Sequence, residues 1–246
     1  MRTEERRDLT LATAGLQVRA DGDAAPGFTG HAAVFNSRTA IGNPLTWGFY
    51  EEIAPGAFSK TLDEGDARFL VDHDTRMVVS RVSAGSLRLV QDQLGLAVDA
   101  DLDAELSYVR DLVTNLRNGN ITGMSFGFQT VKDDWQTVEI ETKDGDTAEA
   151  ELRVIREVKL YEVSAVTFPA YEDTDAGLRS VGVALAARGD SAAFDRRARY
   201  RPELLDFRRE PGETTRGTDV TQPGETTGGR QARQMELLAA RYRLAR

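Results

Sequence analysis

Both histidines of this chain, His31 and His73, lie upstream of the pentapeptide Gly123-Met124-Ser125-Phe126-Gly127. That pentapeptide fits G-x-S-x-G, the spacing of the nucleophile elbow in the α/β-hydrolase fold. The elbow needs a helix straight after its serine and triad partners in the order serine, acid, histidine. Here "FGFQTVKDDWQTVEI" follows the serine, which is strand-like, and no histidine comes later. Chain order therefore excludes that fold. With only two imidazoles, a catalytic zinc site built on histidines is nearly excluded as well. The absence of cysteine removes disulfides, thiolate nucleophiles and cysteine-ligated metals, and suits a reducing compartment.

A triad is defined by geometry, so a histidine ahead of the serine remains admissible. If 121–129 is a strand, Met124, Phe126 and Phe128 face a core, while Gly123, Ser125, Gly127 and Gln129 face the other way. The flanking glycines then leave the Ser125 hydroxyl on an open face that an extended peptide can approach. The competing reading is a serine packed against a neighbouring backbone. His73 ends the apolar run "RFLV" between Asp72 and Asp74 and is the better candidate base; His31, in "TGHAAVFN", reads as a partly buried structural histidine. In "EVKLYEVSAVTF", alternation puts Val158, Leu160, Glu162, Ser164, Val166 and Phe168 on one face. Glu162 is a carboxylate in an apolar row, and burying it unpaired costs several kcal/mol. It is either half of a structural salt bridge or the partner of His73. A serine–lysine dyad through Lys132 or Lys159 is the weaker alternative, because both lysines fall on polar faces.

Along the chain, residues 1–27 read as a polar N-terminal segment. Short strands with Gly/Pro turns occupy 28–101, and Leu106, Val109, Leu112, Val113 and Leu116 mark an amphipathic helix that Asp103 starts and Gly119 ends. Further β-segments follow, broken by an exposed turn at "TKDGDTAE". Residues 188–230 carry too few apolar side chains to offset the entropy of ordering, so a disordered linker is expected there. Residues 231–246 form an amphipathic helix with a basic face, either solvated or docked on a partner. The N-terminus lacks the apolar stretch of a secretory signal, and no run of about 18 apolar residues could span a membrane. A net charge of −9 disfavours direct nucleic-acid binding.

The segments "GHAAVFN", "EEIAPGAF", "FLVDHDTRMVVSR", "ITGMSFGF" and "REVKLYEVSAVTFPAYEDT" span roughly 28–175. Together they resemble, in family order, the HK97-type prohead maturation serine proteases of tailed bacteriophages. The resemblance implies a fold related to herpesvirus capsid-assembly proteases: α+β, with a β-barrel core of mostly antiparallel strands, a few surrounding helices and a disordered C-terminal tail. The family's serine falls on Ser125, its histidine on His73 and the acid of its L-x-E-V-S motif on Glu162. The herpesvirus relatives use a second histidine at that third place. One departure is Ser80, where the family often carries glycine. The implied role is a serine endopeptidase that works without metal or organic cofactor inside the phage procapsid, in the bacterial host cytoplasm. Its implied substrates are the scaffolding segment of the major capsid protein and the protease itself; a homodimer is compatible with it. The alternative is a catalytically silent scaffold of the same fold. Oxyanion donors are expected among backbone N–H groups near Ser125 or in the "FPAY" loop.

Overall fold

The computed structural model describes residues 5–10, 17–19, 26–142, 144–167 and 175–208. Its frame is a long antiparallel hairpin of β10 (Gly123–Glu141) and β11 (Thr147–Val166), turning at 142–146 where the exposed turn is expected. Met124, Phe126, Phe128, Val163 and Ala165 are buried at its base, while the far end of β10 alternates between exposed and half-buried residues. On the free edge of β10, β1 (Glu5–Thr10) pairs antiparallel, from Glu5 opposite Phe128 to Thr10 opposite Gly123. The other edge of β11 takes two parallel neighbours in turn: β5 (Phe49–Ile53) beside Leu152–Ile155, and β6 (Arg68–Val71) beside Glu162–Ala165. Between them α1 (Ser59–Glu64) packs against β11, and the backbone N–H of Val158 and Leu160 donate to Ala57 O and Thr61 Oγ1. β4 (Thr39–Ile41) extends β5, and β7 (Asp74–Arg81) extends β6.

A second sheet has the order β2 (Gln17–Arg19), β3 (Gly27–Val34), β9 (Gly95–Asp101), β8 (Leu87–Gln91). The sheets share one core, in which Phe28 of β3 meets Phe69 of β6 with ring centres 4.8 Å apart and Phe58 meets Phe126 at 5.7 Å. The chain is thus mixed α+β, mostly strands with few helices. Among the described residues it forms two open sheets rather than the expected closed barrel.

The expected helix is α2 (Ser107–Arg117), with Val109, Leu112 and Val113 buried. Gly119 closes it at φ +69, a left-handed value that glycine adopts without penalty. Asp103 does not cap it; its carboxylate accepts from Glu105 N–H in the preceding turn.

Both terminal regions carry more structure than their composition suggests. The N-terminal segment supplies β1, and with it two buried charges. Arg153 of β11 is fully buried and donates to Glu5 at 2.7 Å, Glu51 at 3.1 Å, Asp133 at 2.6 Å and Thr130 at 2.9 Å. Arg7 donates to Glu5 at 2.9 Å and to Glu51 Oε2 at 2.8 Å. Burial alone would raise the Glu5 carboxyl, but the Arg153 and Arg7 guanidiniums hold it down, from 4.5 to about 2.

The linker expected from 188 does not begin there. After α3 (Asp175–Arg188) the chain forms α4 (Ser191–Ala198), capped by the Asp190 carboxylate on Ala193 N–H, and a 3-10 helix at Pro202–Phe207. Phe194 and Leu204 are buried with Trp47, Phe49 and Leu185 in a second apolar cluster. Phe207 lies on Gly182 so closely that a Cβ there would stand 2.3 Å from its ring. Few apolar side chains suffice because they gather in one cluster with Trp47 and Phe49. The helix expected over 231–246 lies outside the described residues.

Three outcomes follow from this packing. Arg153→Met should cost about 3–5 kcal/mol in chemical denaturation, because it strands buried carboxylates. Glu5 has a depressed folded-state value, so its stabilisation is complete above about pH 4.5 and fades as pH falls toward about 2. Thermal melts should show that loss, and Glu5→Gln should flatten it. A chain ending after Ala187 should be at least about 3 kcal/mol less stable than one ending after Arg208, since Phe194 and Leu204 go with the helices.

Candidate active site

Ser125 sits near the start of β10, with β1 on one side and β11 on the other. The alternation expected of 121–129 holds, since Met124, Phe126 and Phe128 are in the core. The open face does not: Ser125 is 0% exposed. Its cross-strand partner is Ser164, and Glu162 stands opposite Gly127, so residues of β11 share the face on which the glycines leave room. The Ser125 hydroxyl is buried with no hydrogen-bond partner among the described residues, a state that costs about 1–3 kcal/mol.

His73 follows β6 in a tight turn into β7. Asp72 and His73 are consecutive non-glycine residues in the left-handed region, at φ +46 and +59. Each such residue costs of order 1–3 kcal/mol and persists only where surroundings enforce it. Here β11 enforces it. Asp72 N–H donates to Ala165 O at 2.9 Å, and the Asp72 carboxylate accepts from Thr167 N–H at 2.7 Å and Thr167 Oγ1 at 2.9 Å. His73 N–H donates to Ser164 Oγ at 3.3 Å.

His73 Nδ1 and Glu162 Oε1 are 2.7 Å apart, with side chains 13% and 8% exposed. A carboxylate can only accept, so Nδ1 is the donor of this bond, and in the neutral ring the lone pair falls on Nε2. Glu162 Oε2 accepts from Ser164 Oγ at 2.5 Å. The other acids beside the histidine are engaged elsewhere. Asp72 holds Thr167, and Asp74 takes both the side chain and the N–H of Arg76, which hold its carboxyl down at about 2.

The structure therefore brings His73 and Glu162 into contact and sets Ser125 across from Ser164, which bonds to both. No hydrogen bond joins Ser125 to His73. The alternative bases are elsewhere: Lys132 pairs with Glu157, and Lys159 lies over the Tyr161 ring at 6.0 Å. His31 bonds Asp92 at 2.8 Å between β3 and the β8–β9 turn. Ser80 lies within β7 opposite Phe69, outside the histidine turn. Phe168 and the "FPAY" loop, where oxyanion donors are expected, lie outside the described residues. Ser164 and Asp72 are the site residues that sequence reasoning missed, although Ser164 falls on the Glu162 face two positions on. Among the described residues no group of three or more His, Asp or Glu side chains could hold a metal ion, and no helix is long and apolar enough to cross a membrane.

The family model described as caudovirus prohead serine protease matches residues 14–186. The prohead protease of Enterobacteria phage HK97 is 29% identical over 178 residues, which cover 70% of this chain and 69% of that protein. The bacteriophage T4 capsid assembly protease aligns over 66% of this chain and 98% of its own, at 12% identity and a TM-score of 0.35.

Proposed function

The chain belongs to the caudovirus prohead serine protease family, and from that premise we infer that it is a serine endopeptidase of capsid maturation. Ser125 is the nucleophile, His73 the general base and Glu162 the group that orients the imidazole. The observation that carries this reading is the 2.7 Å contact between His73 and Glu162, beside a buried serine hydroxyl with no partner.

In the proposed reaction Ser125 Oγ attacks the scissile carbonyl while its proton passes to His73 Nε2. The imidazolium gives that proton to the leaving amine, and Glu162 stabilises it through Nδ1–H. Water then hydrolyses the acyl-enzyme, again through His73. The serine–histidine bond forms as substrate enters, since such bonds are commonly long or unmade without it. The same reading takes the scaffolding segment of the major capsid protein and the chain itself as substrates, inside the assembling prohead. It also extends the kinship to the herpesvirus capsid-assembly proteases, with Glu162 in place of their second histidine. Residues 209–246 serve as the tail that docks the protease during packaging.

A second reading, a silent scaffold, draws on the full burial of Ser125. Co-expression with the capsid protein of the same genome, read by intact mass, separates the two. Ser125→Ala and His73→Ala should slow cleavage by about 10⁴- to 10⁶-fold, and Glu162→Gln by about 10⁴-fold. His31→Ala should stay within about twofold of wild type, because a residue bonded to Asp92 takes no part in the transition state. A wild-type chain that leaves both itself and the capsid protein whole would support the scaffold. A chain ending after Arg208 should still cleave and should fail to be packaged; loss of cleavage would sink the docking-tail assignment.

A further inference from the structure

We propose that Ser164 is a positioning residue of this site, whose single hydroxyl fixes both the carboxylate of Glu162 and the backbone of His73; this rests on the serine–histidine–glutamate reading above. A serine hydroxyl has one proton to donate and two lone pairs to offer. In Ser164 the proton goes to Glu162 Oε2 at 2.5 Å, and a lone pair accepts the His73 N–H at 3.3 Å. One atom thus bonds to both members of the histidine–carboxylate pair, through the main chain of the one and the side chain of the other.

The need for such a group follows from the freedom of a glutamate. The last torsion of its side chain has a broad, shallow profile, so one bond to His73 leaves the carboxylate plane free to swing. The Ser164 bond occupies the second oxygen and sets that plane. Ser164 can do this because its own position is fixed on both sides. It is fully buried, paired with Leu70 of β6 on one edge and with Ser125 of β10 on the other. Its hydroxyl also meets the left-handed turn at the residue that carries the ring, at φ +59. The distance from β11 to the imidazole is thereby set twice, once through the side chain and once through the main chain.

Full-length wild type, Ser164→Ala, Ser164→Thr and His73→Ala are compared for kcat and KM on the capsid protein of the same genome, read by intact mass. Ser164→Ala should lose about 10- to 100-fold in kcat with KM within about twofold, the pattern of misplaced machinery rather than lost binding. Ser164→Thr keeps the hydroxyl and should keep most of the activity. On a Glu162→Gln background the alanine change should cost clearly less than it does in wild type, because the share that acts through that carboxylate is already lost. Should Ser164→Ala fail to fold, Ser164→Cys takes its place, with similar volume and a weaker donor. The proposal is overturned if the alanine variant runs within about threefold of wild type, if alanine and threonine are equally impaired, or if the loss is undiminished on the glutamine background. His73→Ala at full speed would instead bring down the underlying reading, whereas a dead His73→Ala beside a fully active Ser164→Ala would remove only the role of Ser164.

Discussion

A guanidinium with no access to solvent ties the large sheet together. Arg153 reaches from β11 to Glu5 on β1, Glu51 on β5, and Thr130 and Asp133 on β10. Buried ion networks of this kind add little net stability over a well-packed apolar core, but they tolerate only one arrangement of their partners. That selectivity matters because the β10–β11 ladder slips at Gly127/Phe128, Thr130/Lys132 and Lys132/Asp133. A ladder with bulges cannot by itself carry its register from one end to the other. Arg153 holds Thr130 and Asp133, one on each side of the last two shifts, and so helps fix the register that sets Ser125 opposite Ser164.

The site is then a product of one strand. β11 supplies Glu162 and Ser164 as side chains and Ala165 as a carbonyl, and Thr167 just after it ties down Asp72. β10 supplies the serine from one edge, and β6 delivers the histidine from the other. Such mixed pairing, antiparallel on one side and parallel on the other, brings residues distant in the sequence to one place without a long loop. The acid comes last of the three in the chain because β11, which takes neighbours on both edges, is the last strand of the sheet in sequence.

Alternation made much of this legible in advance. Met124, Phe126 and Phe128 announced the core face of β10, and Glu162 stood out as an acid in an apolar row. The amphipathic spacing of Val109, Leu112 and Val113 gave the helix. Other parts were hidden for identifiable reasons. "ERRDLT" is a strand whose inward side chains are charged, so it reads as solvated; opposite charges on Glu5 and Arg7, two apart and hence on one face, were the available clue. The burial of Ser125 depends on strands from remote parts of the chain, which no local pattern reports. In α4 the Gly189-Asp190 pair marks a helix end and a helix start, but a low apolar content masked it. Ser164 was passed over because serine in a strand needs no explanation until its partners are known.

The paired left-handed residues at Asp72 and His73 have a consequence for how this protein fails. Their conformation is uphill for the isolated turn, and the bonds from Ala165, Ser164 and Thr167 are what hold it. If those contacts loosen, the turn relaxes and the ring swings off its acid while the rest of the core is still intact. On the proposed reading, peptidase activity is then an all-or-none reporter of a finished β11: a half-made or fraying copy is harmless.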